Sequence, residues 1–172
     1  MEKKLPIATI EFEQLGTVKL ELFLDTPNST NNFISLASKG YYDGLSMHRI
    51  IPDFVAQGGC PNGTGMGGPG YTIDGEFPSN GFDNPHPHDR GVIAWARSMA
   101  RNSAGSQFYI TLGDTHFLNA DYAVFGQVVE GLEVLDELNK LGTGGGTPIK
   151  PVTIKCVTID THGEVYPEPM RV

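Results

Sequence analysis

Cysteine is scarce in this chain: Cys60 and Cys156 are the only two, far apart and outside any CxxC pattern. A disulfide scaffold uses more, and a zinc site needs further ligands, so the pair reads as free thiols in a reducing compartment. Long apolar runs are missing as well. None approaches the ~20 residues that cross a bilayer. No apolar stretch follows Met1-Glu2-Lys3-Lys4-Leu5-Pro6, so no secretory signal is expected and the cytoplasm is the expected location. Basic clusters are absent beyond Lys3-Lys4: 12 Lys and Arg face 20 Asp and Glu, for a net charge of −8. Nucleic acids and anionic membrane surfaces call for a basic stripe, so both are excluded as partners. The mild acidity favours solubility.

What is present is a chain of 172 residues, long enough for one well-buried core, with 22 Gly and 12 Pro interleaved among apolar runs. That mixture points to a β-rich fold with many tight turns rather than to disorder. From Ile7 to Leu24 the pattern has period two. Ala8, Ile10 and Phe12 alternate with polar residues, as do Val18, Leu20 and Leu22, on either side of Gln14-Leu15-Gly16-Thr17. This predicts a hairpin with one buried face. Thr26 then offers an N-cap, Pro27 a first helical position and Gly40 a C′ residue, and Phe33, Leu36 and Ala37 fall on one helical face between them.

Two short strands are expected around Pro52-Asp53, and others at Gly91–Trp95, Gln107–Leu112, Ala123–Val129 and Pro151–Ile159. Leu132, Leu135 and Leu138 mark a second short helix. The segments Gly58–Gly70 and Phe77–Arg90 read as loops, and residues 161–172 as a tail kept extended by Pro167 and Pro169. No repeat or long linker divides the chain, so residues 1–172 are expected to form one domain with its core at about 7–159. Many short strands and two helices suggest a closed antiparallel barrel with a helix at each end.

Conventional catalytic patterns fail on context. Gly63-Thr64-Gly65-Met66-Gly67-Gly68 lacks the Gly-Lys-Ser/Thr and the following helix of a phosphate loop. His86-Pro87-His88 offers two imidazoles, but His116 and His162 are distant in sequence and no metal-ligand spacing is completed. Asp114-Thr115-His116 with Ser103 or Ser106 lacks a nucleophile elbow. What remains is Arg49, set in the apolar run Met47-His48-Arg49-Ile50-Ile51-Pro52. Taken alone it reads as half of a structural ion pair, and Phe54, Phe108, Phe117 and Leu118 read as core.

Several ordered segments change that reading. The stretch Tyr42–Gly59, containing His48-Arg49-Ile50-Ile51-Pro52-Asp53-Phe54-Val55-Ala56-Gln57-Gly58-Gly59, resembles the cyclophilin family. So do Gly105-Ser106-Gln107-Phe108-Tyr109-Ile110, Phe117-Leu118-Asn119 and Val124-Phe125-Gly126, and the likeness runs from about Ile7 to Ile159, closer to bacterial members. The resemblance implies a mainly β fold, a closed eight-stranded antiparallel barrel capped by two α-helices. It implies a peptidyl-prolyl cis–trans isomerase that uses no metal or cofactor and acts on proline-containing peptides and on unfolded or folding proteins.

By the same resemblance Arg49 is the catalytic arginine and Gln57 its polar companion. Phe54, Val55, Tyr109 and Leu118 line the proline pocket, Ala96, Arg97 and Gln107 meet the substrate backbone, and Phe117 and Tyr122 form the rim. The chain departs from the common eukaryotic pattern at Phe117 (often Trp), Tyr122 (often His), Val55 (often Met) and Tyr109 (often Phe). Loss of the indole N–H implies weak cyclosporin binding, and the Tyr109 hydroxyl needs a polar partner or water. No apolar seam demands a second copy, so a monomer is expected. The competing reading is a proline-segment binding module or chaperone with incidental catalysis. A carbohydrate- or metal-binding barrel built on the loop histidines stands behind it.

Overall fold

The computed structural model describes residues 4–172. The expectation of no secretory signal falls partly on Met1–Lys3, outside the described residues. The hairpin forms as the alternation demands. β1 (Ile7–Phe12) pairs antiparallel with β2 (Gly16–Leu22) in the register Ile10↔Val18. Ala8, Ile10, Phe12, Val18, Leu20 and Leu22 are all buried on one face. The turn uses left-handed backbone at Gln14 (φ 65°) and Gly16 (φ 117°).

Helix α1 (Pro27–Ser38) begins at the Thr26-Pro27 step and ends before Gly40, whose φ of 73° suits a C′ glycine. Its start is not capped by Thr26, whose hydroxyl turns back to the Phe23 carbonyl. The orphan N–H groups go instead to the buried Glu76 carboxylate, which accepts from Ser29 at 2.6 Å and Asn28 at 3.4 Å. A residue nearly fifty positions away does the work of a local cap.

The remaining elements are β3 (Arg49–Ile51), β4 (Val55–Gly58), β5 (Val92–Trp95), β6 (Phe108–Thr111), β7 (Val124–Glu130), α2 (Leu132–Lys140) and β8 (Ile154–Asp160). Short 3₁₀ turns at Pro78–Asn80 and His116–Leu118 were not foreseen. Among the described residues the eight strands form one antiparallel sheet in the order β3-β4-β6-β5-β7-β2-β1-β8.

That order corrects the expected closed barrel: the sheet is curled but open, with β3 and β8 as its edges and no ladder between them. The gap is crossed by irregular chain. Gly44 N–H donates to Ile154 O (2.8 Å), Ile154 N–H to Leu45 O (2.7 Å) and Met47 N–H to Val152 O (2.9 Å). Past that point the free side of β3 is taken by the glycine-rich loop after α2. Ile50 N–H bonds Gly146 O at 2.8 Å, and Thr143 N–H bonds Ile50 O at 3.1 Å. A backbone group already paired with that loop is no longer available to β8.

The sheet buries both faces. The main core gathers Ile10, Phe33, Trp95, Phe108, Ile110 and Phe125, with Trp95 stacked on Phe125 at 4.8 Å. The alternate positions Val55, Val92, Ala94, Tyr109 and Val124 form a smaller cluster on the opposite face. Leu135 and Leu138 are buried on α2 as expected, but Leu132 is exposed at its first turn and Val134 completes the buried face instead. The tail docks rather than trailing. Asn28 exchanges two hydrogen bonds with the Met170 backbone (2.7 and 3.0 Å), and Val172 N–H reaches Thr72 O at 2.9 Å. The Arg171 guanidinium covers the Tyr71 ring at 4.1 Å.

Glu76→Ala strands the buried N–H groups at the start of α1 and should cost about 1–3 kcal/mol of stability. Urea denaturation of the variant against the parent measures it, and an unchanged midpoint would discount Glu76 as the cap.

Candidate active site

Strand pairing sets the polar row of the site. Arg49 lies opposite Gln57 across β3 and β4, and Gln57 lies opposite Tyr109 across β4 and β6. Directly opposed residues project to the same face, so three strands carry Arg49, Gln57 and Tyr109 side by side on the face of the smaller cluster.

A chain of neutral amides holds the arginine. Arg49 Nη1 donates to Gln57 Oε1 at 3.1 Å, and Gln57 Nε2 donates to Gln107 Oε1, also at 3.1 Å. Gln107 Nε2 in turn donates to the carbonyls of Gly65 (2.9 Å) and Gly67 (3.0 Å). The glycine-rich loop is therefore ordered, and it is organised further around the Cys60 sulfur, which accepts Gly65 N–H at 3.3 Å and Gly67 N–H at 3.2 Å. Arg49 is exposed, and among the described residues it joins no ion pair. The reading of Arg49 as a structural ion pair is set aside.

Beside Arg49 opens a cavity of about 190 Å³ lined by Phe54, Val55, Gln57, Ala96, Arg97, Tyr109, Leu118 and Tyr122. Nearly all the residues expected from the sequence converge here. Phe54 needed re-aiming relative to Val55, and the turn supplies it: Asp53 adopts a φ of 60°, and β4 begins only at Val55. Phe117 is 73% exposed and lies outside the cavity, stacked on Phe54 with ring centroids 5.8 Å apart. Gln107 lines a neighbouring cleft of about 350 Å³ together with Gln57, Ala96, Arg97 and the glycine-rich loop.

Arg97 does not extend into solvent. Its guanidinium lies 4.7 Å from the Phe77 ring and 4.8 Å from the Tyr122 ring, and it donates to the Asp121 carbonyl at 3.0 and 2.7 Å. This fixes Tyr122, whose ring meets Tyr109 edge-on. The wall between the two clefts is thereby held in place.

The loop histidines separate. His86 stacks on Phe23 at 3.7 Å and meets Asp25 at 2.7 Å, whereas His88 turns inward, fully buried, with Nε2 2.8 Å from the Tyr109 hydroxyl. His116 pairs with Asp89 at the surface. His88 is the partner the Tyr109 hydroxyl required, and sequence reading considered it only as a metal ligand. Its signal was a tyrosine placed at an apolar pocket position.

The site is thus an exposed arginine, held by neutral amides, beside a cavity on the curled sheet. Comparison with known proteins identifies the family to which this arrangement belongs. Residues 7–159 match the family model described as cyclophilin type peptidyl-prolyl cis-trans isomerase/CLD. A peptidyl-prolyl cis-trans isomerase of Helicobacter pylori (strain 26695) is 44% identical over 80% of this chain and 82% of that protein. Peptidyl-prolyl cis-trans isomerase B of Bacillus subtilis is 46% identical over 70% of this chain and 82% of its own. The crystal structure of a Cryptosporidium parvum cyclophilin-type isomerase in the presence of the dipeptide Ala-Pro superposes with a TM-score of 0.82 at 33% identity, covering 90% and 98% of the two chains. The chain belongs to the cyclophilin-type peptidyl-prolyl cis–trans isomerase family, and its activity is the isomerisation of X–Pro peptide bonds.

Burial pushes the His88 pKa below its ordinary value, against the opposing effect of its bond to Asn119, and burial with the neighbouring Arg49 charge does the same to His48. Both rings fold neutral, so the unfolded chain binds more protons once pH falls below about 6.5. The stability they contribute is complete above that pH and is lost as pH falls through their lowered folded values. Thermal melts from pH 7.5 to 5 should show this decline, with a smaller one for His88→Gln. Equal declines would mean that His88 is not among the titrating groups.

Proposed function

We propose that Arg49 drives the isomerisation by stabilising the twisted imide of an X–Pro bond whose ring occupies the 190 Å³ cavity. The physical demand is limited. Rotation about a peptide C–N bond costs about 18–20 kcal/mol because resonance holds it planar. The two X–Pro isomers are close in energy but exchange in tens to hundreds of seconds. No covalent bond is made or broken, so the enzyme has only to bind the twisted form better than either planar one.

On twisting, the proline nitrogen regains a localised lone pair. A guanidinium directed at it donates a charge-assisted hydrogen bond at any ordinary pH. Phe54, Val55, Tyr109 and Leu118 hold the ring in surroundings poor in water, where that interaction is strengthened. Gln57 keeps the Arg49 fork in place, and the Ala96–Arg97 backbone with the adjoining cleft receives the residues before proline while the far side turns. The observation that carries this reading is the exposed Arg49 held by Gln57 at 3.1 Å on the lip of the cavity. The Ala-Pro dipeptide accompanying the Cryptosporidium relative supports a proline-containing ligand. Proline segments of folding proteins are the natural substrates on this reading.

Arg49→Ala should lower kcat/KM in a protease-coupled proline-peptide assay about a hundredfold while the melting curve is kept. Arg49→Lys should also be poor, because an ammonium cannot reproduce the fork. The parent rate should stay nearly flat from about pH 6.5 to 9. An alanine variant as fast as the parent would remove Arg49 from the mechanism.

Phe117 offers no indole N–H at the exposed rim, so cyclosporin is expected to inhibit weakly. Phe117→Trp should tighten inhibition about tenfold, the worth of one hydrogen bond made on binding. No tightening would show that some other position limits the drug.

A further inference from the structure

Resting on the site assigned above, we infer that His88 is a positioning residue for substrate binding: one buried imidazole ties the floor of the proline pocket to the turn that carries its wall. Both ring nitrogens are engaged. Nδ1 lies 3.0 Å from Asn119 Oδ1, an oxygen that also accepts the His88 amide N–H at 2.7 Å. An amide oxygen only accepts, so Nδ1 carries the ring proton and Nε2 of the neutral ring is left as an acceptor. The Tyr109 hydroxyl, 2.8 Å away, is therefore the donor.

The two partners belong to different elements beside the pocket. Tyr109 lies in β6 and lines the cavity, while Asn119 ends the 3₁₀ turn His116–Leu118, where its N–H bonds the His116 carbonyl at 3.1 Å. Leu118 of that turn is another cavity wall, and Phe117 beside it stacks on Phe54. The ring thus sets the spacing between floor and wall. The two rings lie nearly parallel, 22° apart, with Tyr109 only 4% exposed, so its hydroxyl has little access to water if the acceptor is removed. A stranded hydroxyl would seek a partner by tilting the ring that contacts proline.

Asparagine and glutamine separate the two bonds, because the amide of Asn replaces Nδ1 and that of Gln reaches the place of Nε2. His88→Asn keeps a donor toward Asn119 and loses the acceptor for Tyr109. It should raise KM for an Ala-Ala-Pro-Phe peptide about tenfold with a smaller change in kcat. His88→Gln, which restores an acceptor, should recover most of that loss. Adding Tyr109→Phe to His88→Asn removes the stranded hydroxyl, and KM should then lie within about twofold of Tyr109→Phe alone. The same rise in KM from His88→Asn in both backgrounds would overturn the inference.

Arg49→Ala assayed in parallel separates the two readings. Loss of activity there without His88–Tyr109 coupling rejects only the role of His88, and full activity with coupling intact rejects only the role of Arg49. The parent protein supplies a test that needs no substitution. Its imidazole ¹⁵N spectrum should show the Nδ1–H tautomer at His88, with the Nε2 resonance moving as the peptide is titrated in. An Nε2–H tautomer, or a resonance indifferent to peptide, would overturn it.

Discussion

An exposed guanidinium stands beside the cleft with no carboxylate paired to it among the described residues, and neutral groups hold it there. A carboxylate would hold Arg49 firmly but would occupy its donors. Neutral amides orient it and leave the charge free. The sequence Arg49, Gln57, Gln107 and the carbonyls of Gly65 and Gly67 is a continuous set of side-chain hydrogen bonds ending on backbone. Its far end is secured by the Cys60 sulfur, which gathers two N–H groups of the same loop. The glycine-rich segment thereby anchors the arginine from a distance.

The sheet makes this possible because its central strands are buried on both faces. Ile93, Trp95, Phe108 and Ile110 face the main core, while Val92, Ala94 and Tyr109 face the smaller cluster beneath the cleft. A pocket built on such strands has a rigid floor, and its adjustable parts are the turns around it. The turn at Asp53 aims Phe54, the 3₁₀ turn at residues 116–118 presents Phe117 and Leu118, and Arg97 clamps Tyr122 between itself and Tyr109. The open edge of the sheet serves the same end. The loop at residues 143–146 pairs with Ile50, and a Cβ added at Gly146 would come within 3.0 Å of the Arg49 side chain, so the edge is braced where the arginine emerges.

Local pattern carried much of this. Alternation placed Ala8, Ile10 and Phe12 on a buried face because a strand has period two, and Pro27 and Gly40 marked the ends of α1 because their backbone preferences suit those positions. The pocket residues were legible only through resemblance to a family. Nothing in the spacing of residues 49, 57 and 109 states that they meet, because antiparallel pairing between separate strands brings them together.

By itself the chain of residues determined the buried face of the first hairpin and the positions of the two helices, since these follow from periodicity and side-chain type. Tertiary structure alone decided that the sheet stays open and that Glu76 caps α1 from afar. It alone sent His88 inward to Tyr109 while His86 turned to Asp25. Each of these depends on where a polar group finds its partner once the backbone has closed. Such a choice is made by distances in space, and adjacency along the chain carries no trace of it.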